Sequence, residues 1–268
     1  MDRKTIFITG AASGIGRATA QLFARRGWYV GIVDVNEQAL ATLAREIGAD
    51  NCFVRTMDVT DPDSYGAAIE AFARSTRGRI DVLFNNAGIL YMGPCTEISL
   101  EQQFRLVDIN IKGVLVGIHV ALPYLKRTPG AHILTMCSAS AFYGTPELAV
   151  YSATKHAVRA ITEALNIELE RDGIIVSDIF APYVNTPMVT GAARQAHSIS
   201  VIGVNVTAED VAETAWRAAH GNRVHWRIHY LTHATALFFW LFPFLKRPLM
   251  KFLCLSRKPQ QEELRAEG

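Results

Sequence analysis

The chain of 268 residues has few of the features that mark secreted, nucleic-acid-binding or membrane-spanning proteins. Its only cysteines are Cys52, Cys95, Cys137 and Cys254, far apart and without metal-ligand spacing. That pattern argues against a disulfide framework or a metal site and points to reduced thiols in a cytoplasmic protein. No basic run interrupts the first 220 residues, and a net charge of +2 is too small to call for a nucleic acid. Charged residues make up 19% against 50% apolar, which argues against disorder. The opening MDRKTIFITG lacks a signal-peptide pattern, so the first strand is expected to stay in the mature protein. No internal repeat or low-complexity linker is visible. One domain over 1–230 is expected, followed by a hydrophobic, basic extension over 231–268.

Short apolar runs do occur, and they alternate with longer helical patterns. Candidate strands are 5–9, 29–34, 52–58, 81–86, 132–138 and 174–180. These runs are apolar throughout, as expected when helices cover both faces of a parallel sheet. The expected fold is therefore α/β, a Rossmann-like doubly wound parallel sheet with right-handed crossovers. Ser99 with Gln102, and Thr207 with Asp210, have the spacing of capping boxes.

TGAASGIG (9–16) follows the first strand and opens the first helix. Gly10 permits a tight turn, Gly14 lets backbone approach a pyrophosphate, and Gly16 lets helix and strand pack closely. The helix N-terminus offers unpaired N–H groups and the positive dipole end to phosphates. A glycine trio alone is often only a loop; its place between strand and helix is what gives it weight. Asp34, at the end of the second strand, can accept from both adenosine ribose hydroxyls and would repel a 2′-phosphate. NAD is thus expected over NADP, a preference tempered by Arg17 near the phosphates.

Tyr151 and Lys155 in YSATK are four apart, on one face of a helix. A nearby ammonium, helped by a positive nicotinamide ring, is expected to favour the phenolate and lower the pKa of Tyr151. Ser138 lies at the end of the fifth strand, where open α/β sheets place their ligands. With these residues in register, residues 3–230 resemble the short-chain dehydrogenase/reductase family. The resemblance rests on TGAASGIG, Asp58-Val59, NNAG (85–88), Asn110, Ser138, Tyr151 and Lys155. It implies that Tyr151 exchanges the substrate proton, Ser138 hydrogen-bonds the carbonyl or hydroxyl, and Lys155 binds the nicotinamide ribose and tunes Tyr151. Asn110 would help hold a water-linked proton path. It also implies that Gly10, Ser13, Gly14, Ile15, Gly16, Asp34, Asp58, Val59, Asn86, Ala87, Gly88, Val184 and Thr186, with Tyr151 and Lys155, hold NAD. A homodimer or homotetramer built on helices around 101–126 and 152–171 is implied as well, and no metal.

One departure is that Ala181-Pro182 stands where the family usually has Pro-Gly, which implies a reshaped but working nicotinamide pocket. Cys137 is expected to be buried rather than reactive, and His156 to face away from Lys155. His225, His229 and His233 have the spacing of one helical face; a metal site there lacks a carboxylate nearby in sequence. From Gly221 to Gln261 there is no Asp or Glu, and Ala234–Leu245 is apolar apart from Thr235. That stretch is short of the ~20 residues of a membrane span and contains Pro243. Two roles stay open for it: packing on the substrate pocket or a partner subunit, and peripheral membrane contact through 234–258. The loop 188–206 is expected to form the substrate lid. A hydrophobic alcohol or carbonyl substrate follows from these oily segments. The rival readings are an NADP-dependent carbonyl reductase and a non-catalytic dinucleotide-binding scaffold recruited to membranes.

Overall fold

The computed structural model describes residues 3–254. In chain order the elements are β1 (Thr5–Thr9), α1 (Gly14–Arg25), β2 (Tyr29–Asp34), α2 (Glu37–Ile47), β3 (Cys52–Thr56), α3 (Pro62–Ser75), β4 (Val82–Asn85), α4 (Leu100–Val107), α5 (Gly113–Leu125), β5 (His132–Met136), α6 (Ala149–Glu168) and β6 (Ile175–Phe180). There follow β7 (Val184–Asn185), α7 (Pro187–Thr190), α8 (His197–Ile202), β8 (Val206–Thr207), α9 (Ala208–Ala218), β9 (His225–Arg227), α10 (His229–Leu241) and α11 (Lys246–Cys254).

Seven strands form one parallel sheet in the order β3-β2-β1-β4-β5-β6-β9, and β7 pairs with β8 apart from it. Its alternating layers follow from the side chains. Ile6 and Ile8 of β1 point into a core with Phe23, Leu40, Leu43 and Val211. Phe7, between them, joins Tyr65, Phe72, Ile118 and Val158 on the opposite face. Successive strand residues face opposite sides, so a sheet covered on both faces needs apolar side chains at every position.

The expected strand cores hold, but three runs end early. β3 stops at Thr56, β4 at Asn85 and β5 at Met136, because the chain beyond them turns into the loops above the sheet. β3 also alternates buried and more exposed positions, as an edge strand does. The seventh strand, β9, escaped the periodicity: its HWR is polar and three residues long. It is held by its pairing to β6, where Asp178 stands opposite His225. Both capping boxes are formed, at Ser99/Gln102 and Thr207/Asp210. The helical stretch Leu100–Leu125 is long and apolar enough to cross a membrane by composition, but here its α5 half packs on the sheet through Val114, Ile118, Ala121 and Leu125.

The boundary expected at 230/231 falls inside α10. The inner side of the C-terminal helices packs on the main body: Phe239, Met250 and Cys254 are buried together with Phe142 and Tyr143 partly against them. Leu237, Trp240, Leu241, Phe244 and Leu245 lie on the outer side and are exposed.

Candidate active site

The strand order reverses between β1 and β4, and the loops after these two strands diverge to leave a cleft at their C-terminal ends. The cleft encloses about 340 Å³. Of the predicted residues, Gly10, Ser13, Gly14, Ile15, Asp34, Asp58, Val59, Asn86, Ala87, Gly88, Tyr151, Lys155 and Thr186 line it. Gly16, Asn110, Ser138 and Val184 are not among its lining residues.

The glycine turn is shaped by close approach. Gly10 has φ +66°, and a Cβ on it would come 2.8 Å from Ala87 Cα. Gly16 is tighter still, since a Cβ there would lie 2.2 Å from the Gly10 carbonyl oxygen. Asn86 stitches the turn to β4, donating through Nδ2 to the carbonyls of Thr9 (2.9 Å) and Gly10 (3.2 Å). The result is a rigid strand-turn-helix with the N-terminus of α1 facing the cleft.

Asp34 is fixed at the adenosine end. Its Oδ2 accepts from Ala12 N–H at 3.1 Å and its Oδ1 from Asn36 N–H at 3.0 Å. Each oxygen keeps acceptor capacity toward the cleft. Arg17, expected to soften the cofactor preference, instead donates to both carboxylate oxygens of Glu46 at 2.6 Å and does not line the cleft. A dinucleotide fits this arrangement, with an acceptor for ribose hydroxyls, a helix N-terminus for phosphates and Val59 as an apolar wall.

At the other end α6 presents Tyr151 and Lys155. Lys155 is buried; its Nζ donates to Met136 O at 2.8 Å and lies 5.7 Å from the Tyr151 ring centre. Burial pulls the Lys155 ammonium down. In the protein without the nicotinamide charge, burial pushes the Tyr151 phenol up, and hydrogen bonding with Ser138 only partly counters it. The physical reason is desolvation, which penalises the phenolate more than the nearby groups favour it.

Asn110 sits in a π-helical segment, Asp108–Lys112, between α4 and α5. Its Oδ1 accepts from Ile89 N–H (2.9 Å), and its Nδ2 donates to Ile89 O (3.0 Å) and to Thr154 Oγ1 (3.3 Å). The side chain thus joins the loop after β4 to α6. Such π segments often mark functional sites. Val184 is buried in the core through β7, while Thr186 lines the cleft beside Gly14. At the departure from the family pattern, the carbonyl of buried Ala181 accepts from Ala139 N–H at 2.9 Å, so the chain keeps its place beside β5.

Cys137 is buried, its thiol is pushed up by burial, and it donates to Lys155 O at 3.4 Å. His156 is exposed, off the Lys155 face, with Nδ1 2.9 Å from Ser152 O. The three-histidine face is not formed. His225 lies in β9, hydrogen-bonded to buried Asp178 (2.7 Å) and to Glu163 (3.2 Å), while His229 and His233 lie in α10. Folding brings to His225 the carboxylates that were distant in sequence.

A second cleft of about 660 Å³ continues from the first, sharing Ser13, Gly88, Ile89, Pro187 and Met188. Above Tyr151 the segment 188–206 packs an apolar inner side, Val189, Ala196 and Ile199, against Met92 and Leu148. Its rim is polar: Arg194 pairs with Glu97, and His197 N–H donates to Glu147 at 2.6 Å. Sequence reasoning missed Tyr183, which packs against this apolar cluster with its Oη 2.6 Å from Ser198 Oγ. Burial pushes its phenol up to about 12. It also missed Arg105 and Ile109 in the cofactor cleft. None of these carries a motif signal.

A dinucleotide cleft at the switch point, joined to a tyrosine and lysine on one helix face, defines an oxidoreductase of the nicotinamide-dependent kind. The short chain dehydrogenase family model matches residues 4–197, and the chain belongs to this family. It is 38% identical over 195 residues to an oxidoreductase of Staphylococcus epidermidis, covering 71% of this chain and 82% of that one. It is 33% identical over 191 residues to a cyclohexanol dehydrogenase of Acinetobacter sp., covering 70% and 76%. A short chain dehydrogenase/reductase of Burkholderia phymatum solved in complex with NAD superposes with a TM-score of 0.82 at 27% identity, covering 91% of this chain and 95% of that one.

Proposed function

We propose that this protein is an NAD-dependent oxidoreductase that interconverts a lipophilic secondary alcohol and its ketone. The observation that carries this reading is a single cleft with a backbone-fixed Asp34 at one end and Tyr151 with Lys155 at the other. Asp34 favours NAD over NADP, and Arg17, bound to Glu46, offers no cation to a 2′-phosphate. Bound in the cleft, the nicotinamide would supply the hydride chemistry, and its oxidised ring a positive charge beside Tyr151.

The chain's own residues handle the proton. The Tyr151 hydroxyl exchanges it with the substrate oxygen, which Ser138 orients by a hydrogen bond. Lys155, anchored on Met136 O, places its ammonium near the phenol and the ribose. Asn110 holds Ile89 and α6 in register, so that the proton path stays aligned. The apolar inner side of the lid excludes water and favours a steroid, retinoid or long-chain substrate. The relative named for cyclohexanol supports an alcohol substrate. Exposed Leu100, Phe104, Leu115 and Ile167 on α4, α5 and α6 support a homodimer or homotetramer. The same reading places the enzyme in the cytoplasm, at the inner face of a membrane.

Cofactor reduction by the purified protein, followed across long-chain alcohols, steroids and retinoids, tests the proposal. NAD should outperform NADP, Asp34→Ala should erode that preference, and Tyr151→Phe should lose about 10²–10⁴-fold in turnover. An unmutated protein that prefers NADP would overturn the reading of Asp34. Absence of turnover on the whole panel, with Tyr151→Phe unimpaired on any substrate found later, would sink the assignment.

A further inference from the structure

We infer that the outer face of α10 and α11 is a docking surface for an anionic lipid bilayer, backed on its inner side by the substrate lid. The inference rests on the membrane location proposed above and assigns to it a face and a lipid charge.

The two helices divide their side chains cleanly. In α11, Met250 and Cys254, four apart, are buried, whereas Arg247 with Lys251 and Pro248 with Phe252 form two adjoining exposed rows. In α10, Phe239 and Thr232 face inward, and Leu237, Trp240 and Leu241 share the exposed face. The corner between them exposes Phe242, Phe244 and Leu245. Trp240, Phe244 and Phe252 are 77%, 73% and 78% exposed. So many exposed aromatic rings on two successive helices are unusual for a face that meets only water.

Charge names the occupant. No Asp or Glu lies between Gly221 and Gln261, so every formal charge along these helices is positive. Exposed aromatics rimmed by Arg247 and Lys251 fit an acyl boundary beneath anionic headgroups. Among the described residues neither helix is long enough to span, since α10 has 13 residues and α11 has 9.

The inner side of the same layer reaches the lid. α11 packs on α8, with Cys254 beside Ser198, whose hydroxyl meets Tyr183 Oη at 2.6 Å. Tyr183 packs in the apolar cluster that includes Tyr151. Docking therefore brings the lid next to the bilayer, and the substrate class that fits is an alcohol dissolved in lipid.

Flotation of the full-length protein on phosphatidylcholine vesicles, with and without phosphatidylglycerol, tests this surface. The unmutated protein should float with the anionic vesicles and be released by salt. Combined Trp240→Ser, Phe244→Ser and Phe252→Ser should weaken binding at least about tenfold on both vesicles. Combined Arg247→Gln and Lys251→Gln should cost about fivefold per cation, on the anionic vesicles alone. Turnover of a small water-soluble alcohol serves as the folding control and should be unchanged in both variants. The inference is overturned if the unmutated protein does not float, or if the serine variant floats equally well. Sedimentation that shows the serine variant splitting an assembly held by the unmutated protein, without flotation, would give the face to a second copy and overturn it too. Flotation without turnover of any lipophilic alcohol leaves docking intact and sinks only the substrate reading, and turnover without flotation does the reverse.

Discussion

Lys155 and Tyr151 are each displaced toward their neutral forms by burial, so the pair alone holds little phenolate at neutral pH. Under the proposed function, positive charge from a bound oxidised nicotinamide would shift the balance and tie proton transfer to cofactor occupancy. The sign follows for pH. Alcohol oxidation needs the phenolate, so its kcat should rise about tenfold per pH unit below the Tyr151 pKa of the loaded enzyme, while ketone reduction falls above it. Rate profiles in both directions check this. Gly16 is the second residue where small geometry has a large effect. A methyl group 2.2 Å from the Gly10 carbonyl oxygen cannot be relieved by a flexible side chain. Gly16→Ala should cost about 1–3 kcal/mol of stability and weaken NAD binding at least tenfold, read by thermal unfolding and by titration.

Among the elements, α9 shows how local signals and packing reinforce each other. Thr207 accepts from Asp210 N–H at 3.2 Å, and Asp210 accepts in return from Thr207 N–H at 2.9 Å. The cap fixes where α9 begins, and Ala208 and Ala212 then meet Ala18 and Leu22 of α1. Because α1 carries the glycine turn, this contact helps set the cofactor cleft. Thr207→Ala should cost about 1 kcal/mol, lowering the denaturant midpoint with the slope unchanged and Tm by about 2–4 °C. The π-helical segment between α4 and α5 is the opposite case. Nothing in DINIK distinguishes it from ordinary helix, and within it Asn110 bonds to Ile89 and Thr154, partners remote in sequence.

The whole molecule is held by two apolar layers around a sheet that also buries polar groups. His132 in β5 is one: its Nε2 lies 2.8 Å from Ser177 Oγ in β6, and burial pulls its pKa down to about 4. Above pH 6.5 it is neutral in both states and makes no pH-dependent contribution. As the pH falls below 6.5 the unfolded chain takes up the proton first, so stability drops until the folded value near 4 is passed. The gap is worth about 3 kcal/mol. His132→Gln should flatten the acid limb of the stability curve between those values, as measured by denaturant unfolding against pH.

Fold class and chemistry were written locally. Continuous apolar strands imply a sheet covered on both faces, and the glycine turn, Asp34, Tyr151 and Lys155 reveal a dinucleotide cleft because each role demands a particular residue at a fixed place along one strand or helix. β9, the partnering of His225 with Asp178, and the recruitment of Tyr183 to the substrate side were decided only by the tertiary structure. Their partners are remote in sequence, and short polar stretches have no period to read. The same holds for the C-terminal helices. Sequence showed an oily, cationic segment, but only packing decided which face turns inward: Phe239, Met250 and Cys254 fill a site on the body, leaving Trp240, Phe244 and Phe252 outside.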